Sequence, residues 1–390
     1  MKMNQQLFKS AYKIWTGAGA TAQLKHEVAR LQMNNPLIVS DAIIKQVGLL
    51  DEVCASLDEA SFGTFLDVEP EPAFSVIEAC KKVFLAGGHD GFIAIGGGSA
   101  IDTAKAASVY ASYEGSLHDF VGTDLVPQKG APLIAIPTTA GTGSEVTNIA
   151  ILSDKDAQLK KGIASDYLLP DVAIVAPEMT RTAPQHVTAA SGIDAMVHGI
   201  EAYLSVNASP ITDALALQSI TMIARSLPKA YSNSHQLAAR EEMATASLMA
   251  GMAFGNAGVG AVHALAYPLG GRFQMAHGVS NALLLPFVME VNKPACLERL
   301  KDIADALGEQ TTGLSLNEAA DRAIMGMTRL CAQVKIPASL KEFDIKESDL
   351  KEMTEDASKI ERLLKNNPRQ LTKAEIYEIY QAAYVGRAQQ

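Results

Sequence analysis

Short apolar runs bounded by glycine, proline or polar residues recur through the first part of the chain. PLIVS (36–40), GFIAI (91–95), PLIAI (132–136), TNIAIL (147–152) and VAIVA (172–176) read as strands. Between them, 73–86 and 99–112 place apolar residues at helical spacing. Strands alternating with helices are the pattern of a parallel sheet covered by helices. From residue 184 the strand signal stops, and helical segments rich in Ala, Leu and Met follow at 184–206, 209–227, 238–254, 258–267, 279–291, 315–334 and 371–388. The pattern predicts an α/β domain over 1–180 and an all-helical domain over 181–390, with the boundary near Pro177 to Pro184. A ligand site is expected where two such domains meet.

Composition narrows the function classes. A chain of 390 residues is too long for one ordinary core, in keeping with two domains. With 48% hydrophobic and 19% charged residues it has the make-up of a folded rather than a disordered protein. A formal net charge of −10 argues against a nucleic-acid partner, which needs concentrated Lys and Arg. No apolar run reaches the ~20 residues needed to span a bilayer, so no membrane partner is expected. The opening MKMNQQLFKSAYKIW has neither an apolar core nor a small-residue cleavage site, and no secretory leader is expected. The cysteines, Cys54, Cys80, Cys296 and Cys331, form no CxxC pair. That spacing suits neither a disulfide framework nor a thiolate metal site, and it fits the cytoplasm. A homo-oligomer, dimeric or larger, is expected.

Three stretches of the α/β part carry candidate chemistry. GFIAIGGGSAIDTAKA (91–106) is a strand, three glycines, a serine and a helix. Gly96, Gly97 and Gly98 let a ligand approach the backbone, and the free amides of the helix start favour a phosphate or pyrophosphate. The spacing is neither GxGxxG nor a P-loop. IPTTAGTGSEVT (136–147) follows a buried strand with more hydroxyls than a turn needs. Thr138, Thr139, Thr142 and Thr147 offer donors to a phosphate–ribose–amide ligand, or else the loop only caps a helix. Asp41 directly follows the first strand. A carboxylate there accepts from an adenosine ribose diol and repels a 2′-phosphate, and it equally suits the N-cap of a helix starting at Ala42.

In the helical part, GIDAMVHGIEAYLS (192–205) is apolar except for a few positions. Asp194 and His198, four apart, leave the same helical face. A buried carboxylate needs a strong partner. GAVHALAYPLGGRFQMAHGVSNALLLP (260–286) adds His263 and His277 in sequence punctuated by glycine and proline. Pro268, Gly270 and Gly271 are expected to break the helix between them and let the two segments fold back on each other. One carboxylate and three imidazoles make a plausible set for a divalent transition metal.

GGGSAIDTAK, PTTAGTGSEVT, GIDAMVHGIEAY and VHALAYPLGG…AHG occur in the order found in the iron-containing (group III) alcohol dehydrogenases, and the chain resembles that family over nearly its whole length. The resemblance implies a dehydroquinate synthase-like fold, with an NAD(P)-binding α/β domain before a helical metal-binding domain. It implies that Asp194, His198, His263 and His277 hold the metal, usually Fe2+, with Zn2+ suited to the same ligands. Gly97, Gly98 and Ser99 would contact the pyrophosphate, and Thr138, Thr139, Thr142 and Thr147 would surround the nicotinamide half. Lys160 matches a family lysine near the cofactor ribose, Asp102 a family aspartate near the nicotinamide, and Phe254 an aromatic beside it. Two positions depart from the pattern. Glu71 in VEPEP (68–72) stands where members often have Asn, and Tyr267 replaces a histidine near the substrate.

The expected reaction is hydride transfer between a small primary alcohol or diol, or the matching aldehyde, and a nicotinamide cofactor, NAD rather than NADP. The alternative is transhydrogenation between a hydroxy acid and an oxo acid. A dehydroquinate synthase-like lyase would need a basic cluster for an anionic substrate. The motif stretches of the helical part offer only Arg272.

Overall fold

The computed structural model describes residues 5–57, 62–154 and 159–387. These form two compact units, Lys9–Ala183 and Pro184–Gln390, and the described residues before Lys9 belong with the second.

The first unit is built on six parallel strands in the order β1-β9-β6-β4-β2-β3. They are β1 (Lys13–Thr16), β2 (Leu37–Val39), β3 (Gly63–Phe65), β4 (Phe92–Gly96), β6 (Leu133–Pro137) and β9 (Val172–Val175). The central strands are continuously apolar because both faces are covered. Leu37, Val39, Phe92, Ala94, Leu133 and Ala135 pack in one core with helices α1 (Phe74–Ala86) and α2 (Gly98–Tyr110). Ile38, Ile93, Ile95, Ile134, Ile136 and Ile174 belong to the opposite core, with the helices Leu24–Arg30 and Leu49–Cys54. The strand order reverses between β2 and β4, where an open α/β sheet leaves a crevice at its carboxyl ends.

The run at 147–152 does not join this sheet. Strand β7 (Ile149–Asp154) pairs antiparallel with β8 (Leu159–Ala164), and β8 pairs with the short β5 (Gly122–Thr123). Ala150 and Leu152 are buried while Ile149 and Ile151 are only half-buried, the one-sided burial of an outlying hairpin. Sequence periodicity missed β1, β3, β8 and the two-residue β5. The first two are edge strands of four and three residues, and β8 carries Lys160, Lys161 and Gly162.

The second unit is helical among the described residues. Its centre is α3 (Gln185–Leu204), α4 (Pro210–Ser232), α5 (Leu237–Ala257), α6 (Ala261–Phe273) and α7 (His277–Asn292). The helices Leu297–Ala306, Leu316–Gln333, Leu350–Ser358 and Lys373–Val385 surround them, the first and third of these unforeseen. Position 388, the expected end of the last helix, lies outside the described residues. No single described helix is long and apolar enough to cross a membrane.

The helix break expected at Pro268 lies six residues later. Helix α6 runs through Pro268, Gly270 and Gly271 and ends where Gln274 adopts φ +53°. Gln274 N–H donates to the Gly270 carbonyl and Met275 N–H to the Leu269 carbonyl, a left-handed helix stop. Proline removes only one helical bond, and burial holds the rest. Pro268 is buried, and the Tyr380 hydroxyl donates to the adjacent Leu265 carbonyl at 2.6 Å.

Close helix contact brings α7 against α3. A Cβ built on Gly278 would lie 2.3 Å from the Ala190 carbonyl oxygen, which is backbone and cannot swing aside. Gly278→Ala should therefore push α7 from α3 and cost about 1–3 kcal/mol in denaturant unfolding. A midpoint unchanged from the wild type would show that the contact is looser than described.

Candidate functional site

The geometry of α3, α6 and α7 gathers the four predicted ligands. Asp194 and His198 lie one turn apart on α3, His263 lies in the first turn of α6, and His277 opens α7. Asp194, His198 and His263 are buried, and the His277 side chain is 33% exposed. Ligand atoms of Asp194, His263 and His277 lie within 4.8 Å of one another. His198 is not in that triple. Its ring stacks on Phe254, with centroids 4.1 Å apart, and on His263 at 4.8 Å.

Asn281, one turn beyond His277, fills the middle of the cluster. Its Nδ2 lies 2.7 Å from Asp194 Oδ1, 3.1 Å from His263 Nε2 and 3.2 Å from His277 Nε2. An amide nitrogen carries two hydrogens and here faces three atoms able to accept. The Asn281 Oδ1 is buried without a hydrogen-bond partner. Burial pushes Asp194 up, but His198, His277, His263 and the Asn281 amide together hold its carboxyl below the ordinary value. The cluster thus gathers, in a largely buried place, more acceptors than the one amide has hydrogens to serve. Oxygen and imidazole donors of this kind suit a divalent transition metal, so the residues present fit one.

Glu201, three residues after His198 on α3, lies behind His263. Its Oε2 is 2.6 Å from His263 Nδ1, and its Oε1 accepts from the Val262 N–H at 2.7 Å. Sequence reasoning missed both Glu201 and Asn281. The available signal was spacing, since Asp194, His198 and Glu201 follow i, i+4, i+7 and Asn281 is i+4 from His277. Tyr267 is half-buried, one turn after His263 on α6.

The first unit assembles the predicted nucleotide residues at the carboxyl ends of its strands. Gly97 caps α2, and a Cβ on Gly98 would come within 2.9 Å of Thr142, so glycine and threonine loops touch. Thr139 lies beside Gly97. Asp41 follows β2 and is indeed an N-cap, its Oδ1 accepting from Ile43 and Ile44 N–H. Its Oδ2 faces Gly96, where a Cβ would lie 3.7 Å away. Capping thus uses one oxygen and turns the other to the glycine loop. Ser99 Oγ accepts from the Glu71 N–H at 3.2 Å, and Glu71 Oε1 pairs with Lys160 Nζ at 2.6 Å. Residues 71, 99 and 160, remote in sequence, therefore meet.

Thr138 is buried after β6, and the Thr147 hydroxyl turns inward to Lys105. Lys105, also missed in the sequence, spends its three ammonium hydrogens on Ser144 Oγ (2.9 Å), Thr147 Oγ1 (3.1 Å) and the Ile149 carbonyl (3.0 Å). Burial pulls it down to about 8, against the charges of Asp102 and Glu145. Asp102 accepts from the Ser144 hydroxyl and, at 2.9 Å, from Ile151 N–H. Burial pushes Glu145 up to about 7.

Comparison with known proteins follows the same division. Residues 11–177 match the family model for iron-containing alcohol dehydrogenase, and 188–384 match the C-terminal model of the Fe-containing alcohol dehydrogenase family. Long-chain-alcohol dehydrogenase 1 of Geobacillus thermodenitrificans is 47% identical over 375 residues, 95% of this chain and 94% of the relative. A crystal structure of 1,3-propanediol oxidoreductase superposes with a TM-score of 0.95 at 38% identity, covering 98% of this chain and 100% of the other. Sulfoacetaldehyde reductase from Bifidobacterium kashiwanohense, solved in complex with NAD+, gives 0.89 at 29% identity, covering 97% and 98%.

The buried Glu145 yields a pH prediction. The folded chain keeps its proton up to about pH 7, whereas an unperturbed glutamate releases it near 4.5. Between those values the folded state binds more protons, so this group's contribution to stability falls as pH rises. Glu145→Gln should be more stable than the wild type near pH 7, by on the order of 3 kcal/mol, with the gap closing towards ~pH 4.5. Denaturant unfolding across that range checks it, and a gap independent of pH would contradict the shift.

Proposed function

The chain belongs to the iron-containing alcohol dehydrogenase family and interconverts alcohols or diols with carbonyl compounds, and from that premise we propose that it does so with NAD and a divalent metal held by Asp194, His198, His263 and His277. The observation that carries this reading is the Asp194–His263–His277 cluster, buried but for part of His277 and closed around an amide with too few hydrogens for its acceptors. Fe2+ fits the family, and Zn2+ suits the same donors.

When bound, the metal supplies Lewis acidity that favours loss of the alcohol proton, and NAD accepts the hydride. The chain's own residues bind and orient. The amides at the start of α2 and the hydroxyls of Ser99, Thr139 and Thr142 receive the pyrophosphate and nicotinamide halves, with Gly97 and Gly98 admitting them to the backbone. Thr138 and Thr147 support that loop from inside. Asp102 braces it through Ser144 and Ile151. Lys160, held by Glu71, serves the ribose. Phe254, stacked on His198, gives the nicotinamide an apolar neighbour. Tyr267 offers an O–H to the alcohol oxygen or to a water on the proton's way out.

The relatives' names range from long-chain alcohols to 1,3-propanediol and sulfoacetaldehyde, so chain length does not follow from family membership. A neutral alcohol or diol, rather than an anionic one, is favoured by Arg272. It is engaged by Asp356 at 2.8 Å and Glu352 at 2.6 Å, leaving no basic cluster from the motif stretches for an anion. A homo-oligomeric state belongs to the same reading and is measured by light scattering.

Steady-state kinetics of the metal-loaded enzyme with each cofactor tests the assignment. NAD should give the higher kcat/KM. Asp41→Asn removes the charge yet keeps an N-cap, because Asn caps as well as Asp. It should narrow the preference by about 1–2 kcal/mol, roughly tenfold, the scale of one partly solvated charge facing a 2′-phosphate. A wild type that prefers NADP contradicts the placement of Asp41. Tyr267→Phe should lower kcat by up to about tenfold, the worth of one hydrogen bond, with the KM for NAD unchanged. Kinetics equal to the wild type would leave Tyr267 a packing role only.

A further inference from the structure

The reading above rests on ligand atoms pointing into one space, and His263 can point only one nitrogen there. Its Nε2 faces the Asn281 amide beside Asp194 and His277, while its Nδ1 faces Glu201. An imidazole ring binds a metal through the nitrogen without a proton, so the hydrogen must sit on Nδ1. We propose that Glu201 is a positioning residue that locks His263 in the Nδ1–H tautomer and so presents the Nε2 lone pair to the cluster.

Helix α6 has as its N-cap Gly260, which has no side chain to cap it. Its first amides are satisfied from outside. Glu201 Oε1 takes the Val262 N–H at 2.7 Å, and Asn367 Oδ1 takes the Ala261 N–H at 3.4 Å. A Cβ on Gly260 would crowd both, at 3.3 Å from Glu201 Oε1 and 3.2 Å from Asn367 Oδ1. Because a backbone N–H can only donate, one Glu201 oxygen is committed as an acceptor. The other is 2.6 Å from Nδ1 and, on a carboxylate, also accepts. Nδ1 must then donate. The Glu201 side chain is 2% exposed, so its two oxygens are turned to these partners rather than to bulk solvent. The carboxylate also sits at the positive end of α6, where a negative charge is favoured.

Glutamine breaks this logic without changing the shape. Its one oxygen can accept from Val262 or from His263, not from both at the two positions. If it serves Val262, the NH2 faces Nδ1, and the proton moves to Nε2, the atom needed by the metal. If it serves His263, the NH2 meets the Val262 N–H, donor against donor, and that amide of α6 loses its acceptor.

The inference rests on the metal reading, and two measurements keep their failures apart. Competitive Zn2+ titration of metal-stripped, full-length protein should show tight binding by the wild type and binding weaker by roughly 10- to 100-fold in Glu201→Gln. Unfolding midpoints of both metal-free proteins separate loss of affinity from loss of fold. A wild type that does not bind Zn2+ overturns the metal reading and this inference with it. Binding by Glu201→Gln as tight as the wild type overturns the inference alone. The second measurement needs no variant. Long-range 1H–15N correlation of histidine-labelled, metal-free wild type, with His263→Gln identifying the resonance, should show the proton of neutral His263 on Nδ1. A proton on Nε2 overturns the proposal even if Glu201→Gln cannot be purified.

Discussion

A carboxylate that water does not reach governs the helical unit. Asp194 is 2% exposed, and a charge so placed is tolerated only where positive charge and donors surround it. Three imidazoles and the Asn281 amide do so, and together they outweigh the cost of burial that would otherwise neutralise the carboxyl. Three helices have to converge for this. Gly278 removes the side chain that would hold α7 from the backbone of α3. Gln274 turns the chain sharply so that α7 can begin at His277. Glu201 joins the start of α6 to α3 through two hydrogen bonds.

The α/β unit meets a milder version of the same constraint. Its loops expose backbone at the ends of β4 and β6 and must still hold one shape. A buried cation does this: Lys105 ties Ser144, Thr147 and Ile149 together, and Asp102 closes the loop on the other side. Burial moves Lys105 and Glu145 towards neutrality, and the opposite charges enclosed with them only partly offset it. The Glu71–Lys160 pair is the local departure. A residue at φ +53° brings a carboxylate to the lysine expected at the ribose.

Much of this was legible because burial on both faces writes an unbroken apolar run. Four of the five runs read as strands lie in the parallel sheet. The fifth, at 147–152, looks the same in sequence, since four apolar residues in a row do not reveal that only alternate ones are fully covered. Edge strands of three or four residues leave too short a pattern to read. Pro268 misled for a related reason: the rule that proline ends a helix assumes that nothing else holds the helix, and here the surrounding core does. Asp194, His198, His263 and His277 were legible as polar residues in apolar segments. Asn281 and Glu201 stood in the same segments, but a neutral amide and one more glutamate raise no alarm until their partners are known. Asp41 was read two ways in the sequence, and the geometry leaves room for both, one oxygen for the cap and one facing the glycine loop.

The central claim is that the acceptor-rich cluster around Asn281 is where a divalent cation binds. Anomalous diffraction from crystals grown anaerobically with Fe2+, recorded on either side of the iron edge, tests it most directly. The account predicts one strong peak bounded by Asp194, His198, His263 and His277, with the Asn281 nitrogen drawn away from its present place among them. A peak elsewhere, or an enzymatically active crystal with no peak and the amide still central, would contradict it.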